Sequence, residues 1–321
     1  MEREELNVVE NQSATPETEA IVLPPIVEAP IEEPAPKKKH MGLSAKSKLA
    51  NTFIYIVLVL MTIVWLFPFV CIIIESFRVE STAQVGYLFP KEWGFDNYIT
   101  LFRDTDFPTW LLNTFLMGLA TAVFQTVVVL CMSYTLSRMR FKGRKFLMNF
   151  MLILGMFPGF LTMILLHEVL GDLGMTDERA PIGLVLVYVA SSGMGYYISK
   201  GFFDTIPTSL DEAARVDGAT RFQVFYKVIL PLSKPIVIYT VLMAFMAPFG
   251  DFVLARYIAR ASDPGQNVAV GMWSWLEKTM INSHYTLFCT GGVVVAIPVT
   301  VLFLCLQKYY VEGVTGGAVK G

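Results

Sequence analysis

EAARVDGATRFQVFYKVILP, residues 212–231, is charged and helix-prone, yet it lies between two apolar runs each long enough to cross a bilayer. From Lys200 to Lys234 the chain places five basic residues and four acids, Asp204, Asp211, Glu212 and Asp217. Each would cost about 2.5–3.5 kcal/mol at mid-bilayer, so this segment sits in water or against protein. Its local signals predict two short helices. Ser209-Leu210-Asp211-Glu212 has the form of a capping box directly after Pro207, with acids in the first turn, and Gly218 offers a stop. Thr220-Arg221-Phe222-Gln223 is a second capping-box pattern; Phe222, Phe225, Tyr226 and Ile229 follow at helical spacing before Pro231 closes the helix.

Outward from this loop, the chain is that of a membrane protein. Hydrophobic residues make up 54% of its 321 positions, charged residues only 16%, and the mean hydropathy is +0.54. Six runs near 52–74, 110–135, 146–166, 181–199, 235–255 and 286–307 have the length of a transmembrane helix, which predicts an all-α protein with six spans. Five of the six hold no Lys, Arg, Asp or Glu, and the run at 235–255 holds Asp251 alone. Basic residues fall mostly in alternate connections. With the N-terminus inside, 18 of the 25 lie on the inner side and 7 on the outer, which puts both termini in the cytoplasm. RMRFKGRK at 138–145 reads as a topological anchor rather than a nucleic-acid site.

The first 36 residues are rich in Glu and Pro and contain no aromatic residue, so they are expected to stay disordered. The expected organisation is an acidic, Pro-rich tail over 1–48 that ends in a basic run, then a six-span transmembrane domain over 49–321 with its cytoplasmic loop at about 200–234. The acidic N-terminus and the late first apolar run argue against a cleaved signal peptide. The four cysteines, Cys71, Cys131, Cys289 and Cys305, sit in apolar runs without metal or disulfide spacing.

Two readings of the 200–234 loop follow from pattern alone. One is an amphipathic helix resting in the lipid interface. The other is a protein contact, favoured by Ala213, Ala214 and Gly218, whose smallness lets another backbone approach closely. EAA, three residues, Gly, nine residues, an aliphatic residue, one residue and Leu-Pro resembles the cytoplasmic coupling loop of bacterial ABC importer permeases; here it reads Glu212-Ala213-Ala214, Gly218, Val228 and Leu230-Pro231. Val228 stands where the family usually has Ile. The likeness runs from about residue 50 to 321 through NTFLMGLATAVFQTVVVLCMSYTLSRMRFKGRKF at 113–146 and GFFDTIPTSLDEAARVDGAT at 201–220, and ends on YYVEGVTGGAVKG at 309–321. These stretches resemble the carbohydrate branch, in particular the smaller permease of maltose/maltodextrin systems.

The resemblance implies a type I importer fold in the bacterial inner membrane, with a second permease, ABC ATPase subunits and an extracytoplasmic sugar-binding protein as partners. It implies that Leu210, Glu212, Ala213, Ala214, Asp217, Gly218, Phe222, Phe225, Tyr226, Leu230 and Pro231 form the ATPase-coupling loop, and that Gly316, Gly317 and Lys320 belong to a tail that reaches the ATPase. Glu212 has a second reading, as the closing residue of its capping box. The chain has no GxxxxGK[ST] phosphate cradle, so no nucleotide is expected on it, and ATP and Mg belong to the partner ATPase.

Within the spans, Gly155-Met156-Phe157-Pro158-Gly159 joins GxxxG spacing to a proline kink and reads as close helix packing. Asp251 is either a functional intramembrane acid or a group that reaches interfacial water. Ser191, Ser192, Tyr196, Phe249 and Asp251 are candidates to line a translocation path, with Tyr197 beside them. The outer loop at 255–267 is placed to meet the binding protein. His167-Glu168 lacks the second His of a zinc protease, and neither Pro248-Phe249-Gly250-Asp251 nor Ala190-Ser191-Ser192-Gly193 completes an intramembrane protease motif, so an enzyme is disfavoured. An ion-gradient-driven secondary transporter or channel subunit is the rival reading, and it leaves the amphipathic loop without a purpose.

Overall fold

The computed structural model describes residues 41–80, 86–191, 193–260 and 263–318. Contacts divide the chain into Met1–Val59, whose described part is the opening of one helix, and Leu60–Gly321. That helix, α1, runs over Met41–Ser76, and α2 covers Asp96–Arg103. Next come α3 (Phe107–Arg138), α4 (Arg144–Gly155), α5 (Gly159–Asp172), α6 (Ala180–Ala190) and α7 (Gly193–Asp204). The loop of interest holds α8 (Thr208–Val216), α9 (Arg221–Val224), a π-helical turn over Phe225–Ile229, and α10 (Leu230–Leu232). The remainder is α11 (Lys234–Gly250), α12 (Val253–Ala259), α13 (Val268–Ser274) and α14 (Ile281–Ala318). No strand occurs among the described residues.

Four stretches are apolar and long enough to span: Asn51–Ser76, Phe107–Arg138, Asp177–Asp204 and Ile281–Lys308. Two further runs are bent. α4 and α5 meet at 97°, and the 221–232 segment meets α11 at 84°. The run expected as one kinked span at 146–166 is therefore a sharp elbow. Pro158 has no N–H to continue the helix and adopts ψ 121°, outside the helical region, so the chain turns through Met156–Pro158. A Cβ on Gly155 or Gly159 would meet no side chain or packed backbone within 4 Å, so among the described residues their GxxxG spacing serves no close helix contact. α11 ends at Gly250, which places Asp251 just past the helix rather than within it.

α3 is the central strut of Leu60–Gly321, packing on α6, α7 and α11. One buried cluster joins Met117 of α3 to Leu170, Leu184, Val187 and Ile258. A second joins Leu130 and Tyr134 to Phe203, Ile206, Val224, Phe225 and Ile229, and so fastens the 200–234 loop to the spans. The buried share is only 39% even in α3 and is zero across the apolar window of α1. A soluble domain would not leave such surfaces bare, and these suit lipid and neighbouring membrane subunits.

Close backbone approach fixes some of this packing. A Cβ on Gly183 would lie 2.4 Å from the main-chain oxygen of Met175, which cannot swing aside as a side chain would. Gly183→Ala is accordingly expected to shift α6 and lower the melting temperature of the purified protein by several degrees, about 1–3 kcal/mol of overpacking, in a detergent thermal-stability assay. An unchanged transition would show that the approach is looser than this geometry.

Candidate functional site

The 200–234 loop is built from local rules that hold in one half and fail in the other. Thr220 caps α9 as its sequence predicts: its hydroxyl accepts from the Gln223 N–H at 3.3 Å, and the Gln223 side chain accepts from the Thr220 N–H at 2.7 Å. The first capping box does not form. Pro207 takes the N-cap position with no side-chain bond, Thr208 enters as the first helical residue, and Ser209 lies two positions too far in to cap. Glu212 is thereby released from the capping role and stands exposed.

α8 ends in a Schellman motif. The Gly218 N–H donates to Arg215 O at 3.1 Å and the Ala219 N–H to Ala214 O at 3.0 Å, which requires the φ of +86° that Gly218 adopts. Asp217 is the C-cap, and Glu212, Ala213, Asp217 and Gly218 are all exposed. Ala214 and Ala219 face inward against the buried cluster beneath the loop.

The single apolar face expected of Phe222, Phe225, Tyr226 and Ile229 is split. Phe225 and Ile229 are buried, whereas Phe222 and Tyr226 are 72% and 50% exposed and lie against one another with ring centroids 5.8 Å apart. The cause is the π-helical turn over Phe225–Ile229. Pro231, without an N–H and crowding the carbonyl four residues back, disfavours regular α-helical pairing there, and the wider turn accommodates it. Pro231 does not close the helix; the chain continues to Leu232 and breaks at Ser233. Leu210 is exposed and Leu230 half-buried.

The loop's rigidity comes from α3, 60 to 90 residues earlier in the chain. Arg138, with its side chain 7% exposed, donates to Phe203 O at 2.9 Å and Ile206 O at 2.7 Å, and its Nε lies 3.3 Å from Asp211 Oδ2. Ser137 donates to Asp204 at 2.5 Å, Lys200 donates to the same carboxylate, and the Tyr134 hydroxyl donates to Arg221 O at 3.2 Å. The Tyr134 ring packs on Phe225, centroids 4.7 Å apart. Burial pushes the Asp211 carboxyl above its ordinary range, with Arg138 pulling against the rise. None of Tyr134, Ser137 or Arg138 was among the residues the sequence singled out. Val216, at 88% exposure the most exposed large apolar residue of the loop, was missed too.

The proposed path residues lie in separate environments. Tyr196 is buried against Val129 and Leu136, and its main-chain oxygen accepts from Ser133 at 2.9 Å. Ser191 is exposed at the break between α6 and α7, while Ser192 falls outside the described residues. Phe249 packs against Phe245 with the rings tilted by 38° and their centroids 5.2 Å apart. Asp251 accepts from Tyr188 Oη at 2.6 Å and from the Leu254 N–H at 3.1 Å, so it both caps α12 and ties it to α6. Asn267, fully buried, donates to the carbonyls of Pro248 and Asp251 at 2.9 and 2.7 Å and closes that corner. At the other end of the chain, the helix carrying Gly316 and Gly317 runs to Ala318, and Lys320 is outside the described residues.

A bundle of apolar helices with bare outer faces and a polar loop fastened to its central strut is the arrangement of a membrane-embedded transport subunit. The chain belongs to the family of binding-protein-dependent transport system inner membrane components, whose signature matches residues 130–315. It is 34% identical over 282 residues to the maltodextrin transport system permease protein MdxG of Bacillus subtilis, covering 88% of this chain and all of that one. It is 34% identical to the galactooligosaccharides transport system permease protein GanQ of the same organism, covering 84% and 95% of the two chains. Against the maltose/maltodextrin permease MalG of Escherichia coli it is 31% identical over 86% and 98%. The fold is that of a bacterial ABC transporter involved in alginate import, with a TM-score of 0.66 at 22% identity, covering 83% of this chain and 98% of that one. The protein is thus a multi-pass inner membrane permease subunit of an importer, not an enzyme, and ATP hydrolysis belongs to a separate subunit.

Proposed function

We propose that this permease carries a sugar, of the maltodextrin or a similar oligosaccharide class, and that α8 and α9 form the contact through which a partner ATPase drives it. The single observation that carries the coupling reading is the combination of an exposed tip with a clamped base. Glu212, Ala213, Val216, Phe222 and Tyr226 are open to a partner while Arg138, Tyr134 and Ser137 bind the loop to α3. A displacement at the tip then reaches the spans as a rigid-body tilt instead of being lost in a flexible connection. The sugar class is supported by relatives that transport maltodextrin, maltose and galactooligosaccharides.

In this reading both termini and the loop are cytoplasmic, the tail with Gly316, Gly317 and Lys320 reaches the ATPase, and a second permease covers part of the bare apolar surface. The ATPase holds ATP and Mg. A binding protein delivers the sugar from outside; the alginate importer has been solved with its pentasaccharide-bound periplasmic protein, on a chain of TM-score 0.56 to this one. In this reading residues 1–48, of which 1–40 lie outside the described residues, are a tail to a permease domain over 49–321.

Cross-linking tests the contact. With Val216→Cys in the assembled importer, a short thiol-to-amine reagent is expected to join this chain to the ATPase subunit, and addition of ATP to change the yield. Labelling of that cysteine only by lipid-soluble probes, with no protein adduct, would return the loop to a lipid-interface role.

A further inference from the structure

Beneath the loop, between the end of α3, the 139–144 turn and helices α8 and α9, lies a cavity of about 530 Å³. Five arginines line it, Arg138, Arg140, Arg144, Arg215 and Arg221, against two acids, Asp211 and Glu212. Arg138 is occupied by two carbonyls and by Asp211, and Asp211 by Arg138. The other four guanidinium groups form no salt bridge among the described residues; Glu212 faces them within the cavity, and Asp204 acts on Arg144 from beside it. Four cations lining one polar hollow repel one another and favour an anion, and a guanidinium fork matches phosphate oxygens in pairs.

A second feature narrows the ligand. Asp211 Oδ1 is buried at this cavity and accepts no hydrogen bond, although a carboxylate oxygen out of water calls for a donor. A bare phosphate dianion offers none. A phosphate ester that also bears hydroxyl groups offers both, phosphate oxygens to the arginines and a hydroxyl to Asp211. The volume lies within the range of small-molecule sites.

We propose that this cavity binds the phosphate of a hydroxylated phosphate ester. Two sources share that chemistry: the glycerol-bearing headgroup of an anionic phospholipid, which basic pockets at the inner ends of spans are suited to hold, and a soluble sugar or polyol phosphate. Glu212 belongs both to this cavity and to the proposed ATPase contact, whereas Arg140 and Arg144 lie outside that contact, so the two arginines are the positions that test the cavity by itself.

The test uses the complete importer in nanodiscs. In phosphatidylcholine discs, calorimetric titration compares glycerol 3-phosphate, glucose 6-phosphate and inorganic phosphate. In discs containing phosphatidylglycerol, native mass spectrometry counts lipid retained per complex. Saturable binding in one arm, stronger for the hydroxylated ester than for inorganic phosphate, is the expected result. R140Q/R144Q is expected to weaken it by about tenfold or more, while R140K/R144K retains part of it. If the double variant fails to assemble, R140Q alone, at an exposed position, is expected to weaken binding in the same direction. The proposal is overturned by no saturable binding in either arm, by binding that R140Q/R144Q leaves unchanged, by inorganic phosphate binding saturably and as tightly as the esters, or by a cross-link that places an ATPase carboxylate inside the cavity.

Discussion

Gly218→Trp is expected to abolish substrate-stimulated ATP hydrolysis by the reconstituted importer while leaving membrane insertion intact. Gly218 closes the Schellman motif at φ +86°, a region that costs a residue with a side chain about 1–2 kcal/mol. A Cβ there meets no atom within 4 Å, so the indole would not clash within the subunit. It would instead project from an exposed tip, where a partner's surface is proposed to seat. Strain and bulk can be separated: Gly218→Asn, which tolerates the left-handed region, is expected to retain much of the coupling, and Gly218→Ala to fall between. Hydrolysis rates in vesicles, with and without loaded binding protein, read the coupling, and surface expression reads insertion. Normal stimulation in the Trp variant would mean that no protein lies against this turn.

How much of this site was legible in the sequence depended on the distance over which each feature is decided. The capping box of α9 was readable because both of its halves, Thr220 and Gln223, lie within one turn. The stop at Gly218 was readable for the same reason. Its twin at Ser209–Glu212 misled because Pro207 offered an equally local alternative start, and the frame moved by two residues. The inward and outward faces of 222–229 could not be read from a period of 3.6, since the π-turn changes that period at the residues in question. The spans were legible from length and apolarity alone. GMFPG announced a kink but not its 97° size, because the angle depends on what each arm packs against. The clamp from α3 left no trace: Arg138 stood in a basic run that topology already explained, and only folding brought it to Phe203, Ile206 and Asp211.

That clamp yields the second large effect. Arg138→Ala removes two hydrogen bonds to main-chain carbonyls and leaves Asp211, whose side chain is 15% exposed, without its cation. Breaking a buried pair on one side costs about 3–5 kcal/mol, and the remaining exposure of Asp211 puts the expected loss toward the lower end. The spans should hold, since their clusters are apolar and lie elsewhere. The loop should detach, so the importer is expected to lose transport while its ATPase subunits still hydrolyse ATP without control by sugar. Arg138→Ala/Asp211→Asn separates the stranded charge from the lost carbonyl bonds: it should recover the part due to charge and no more. Acidification should act in the same sense. The folded-state affinity of Asp211 for a proton is already raised by burial, and loss of Arg138 raises it further. The loop in the single variant is therefore least stable above that elevated value and gains stability as pH falls through it, whereas the double variant lacks this dependence. Limited proteolysis within 208–220, followed across pH in both variants, measures it; equal cleavage in wild type and Arg138→Ala would show that the loop stands without its clamp.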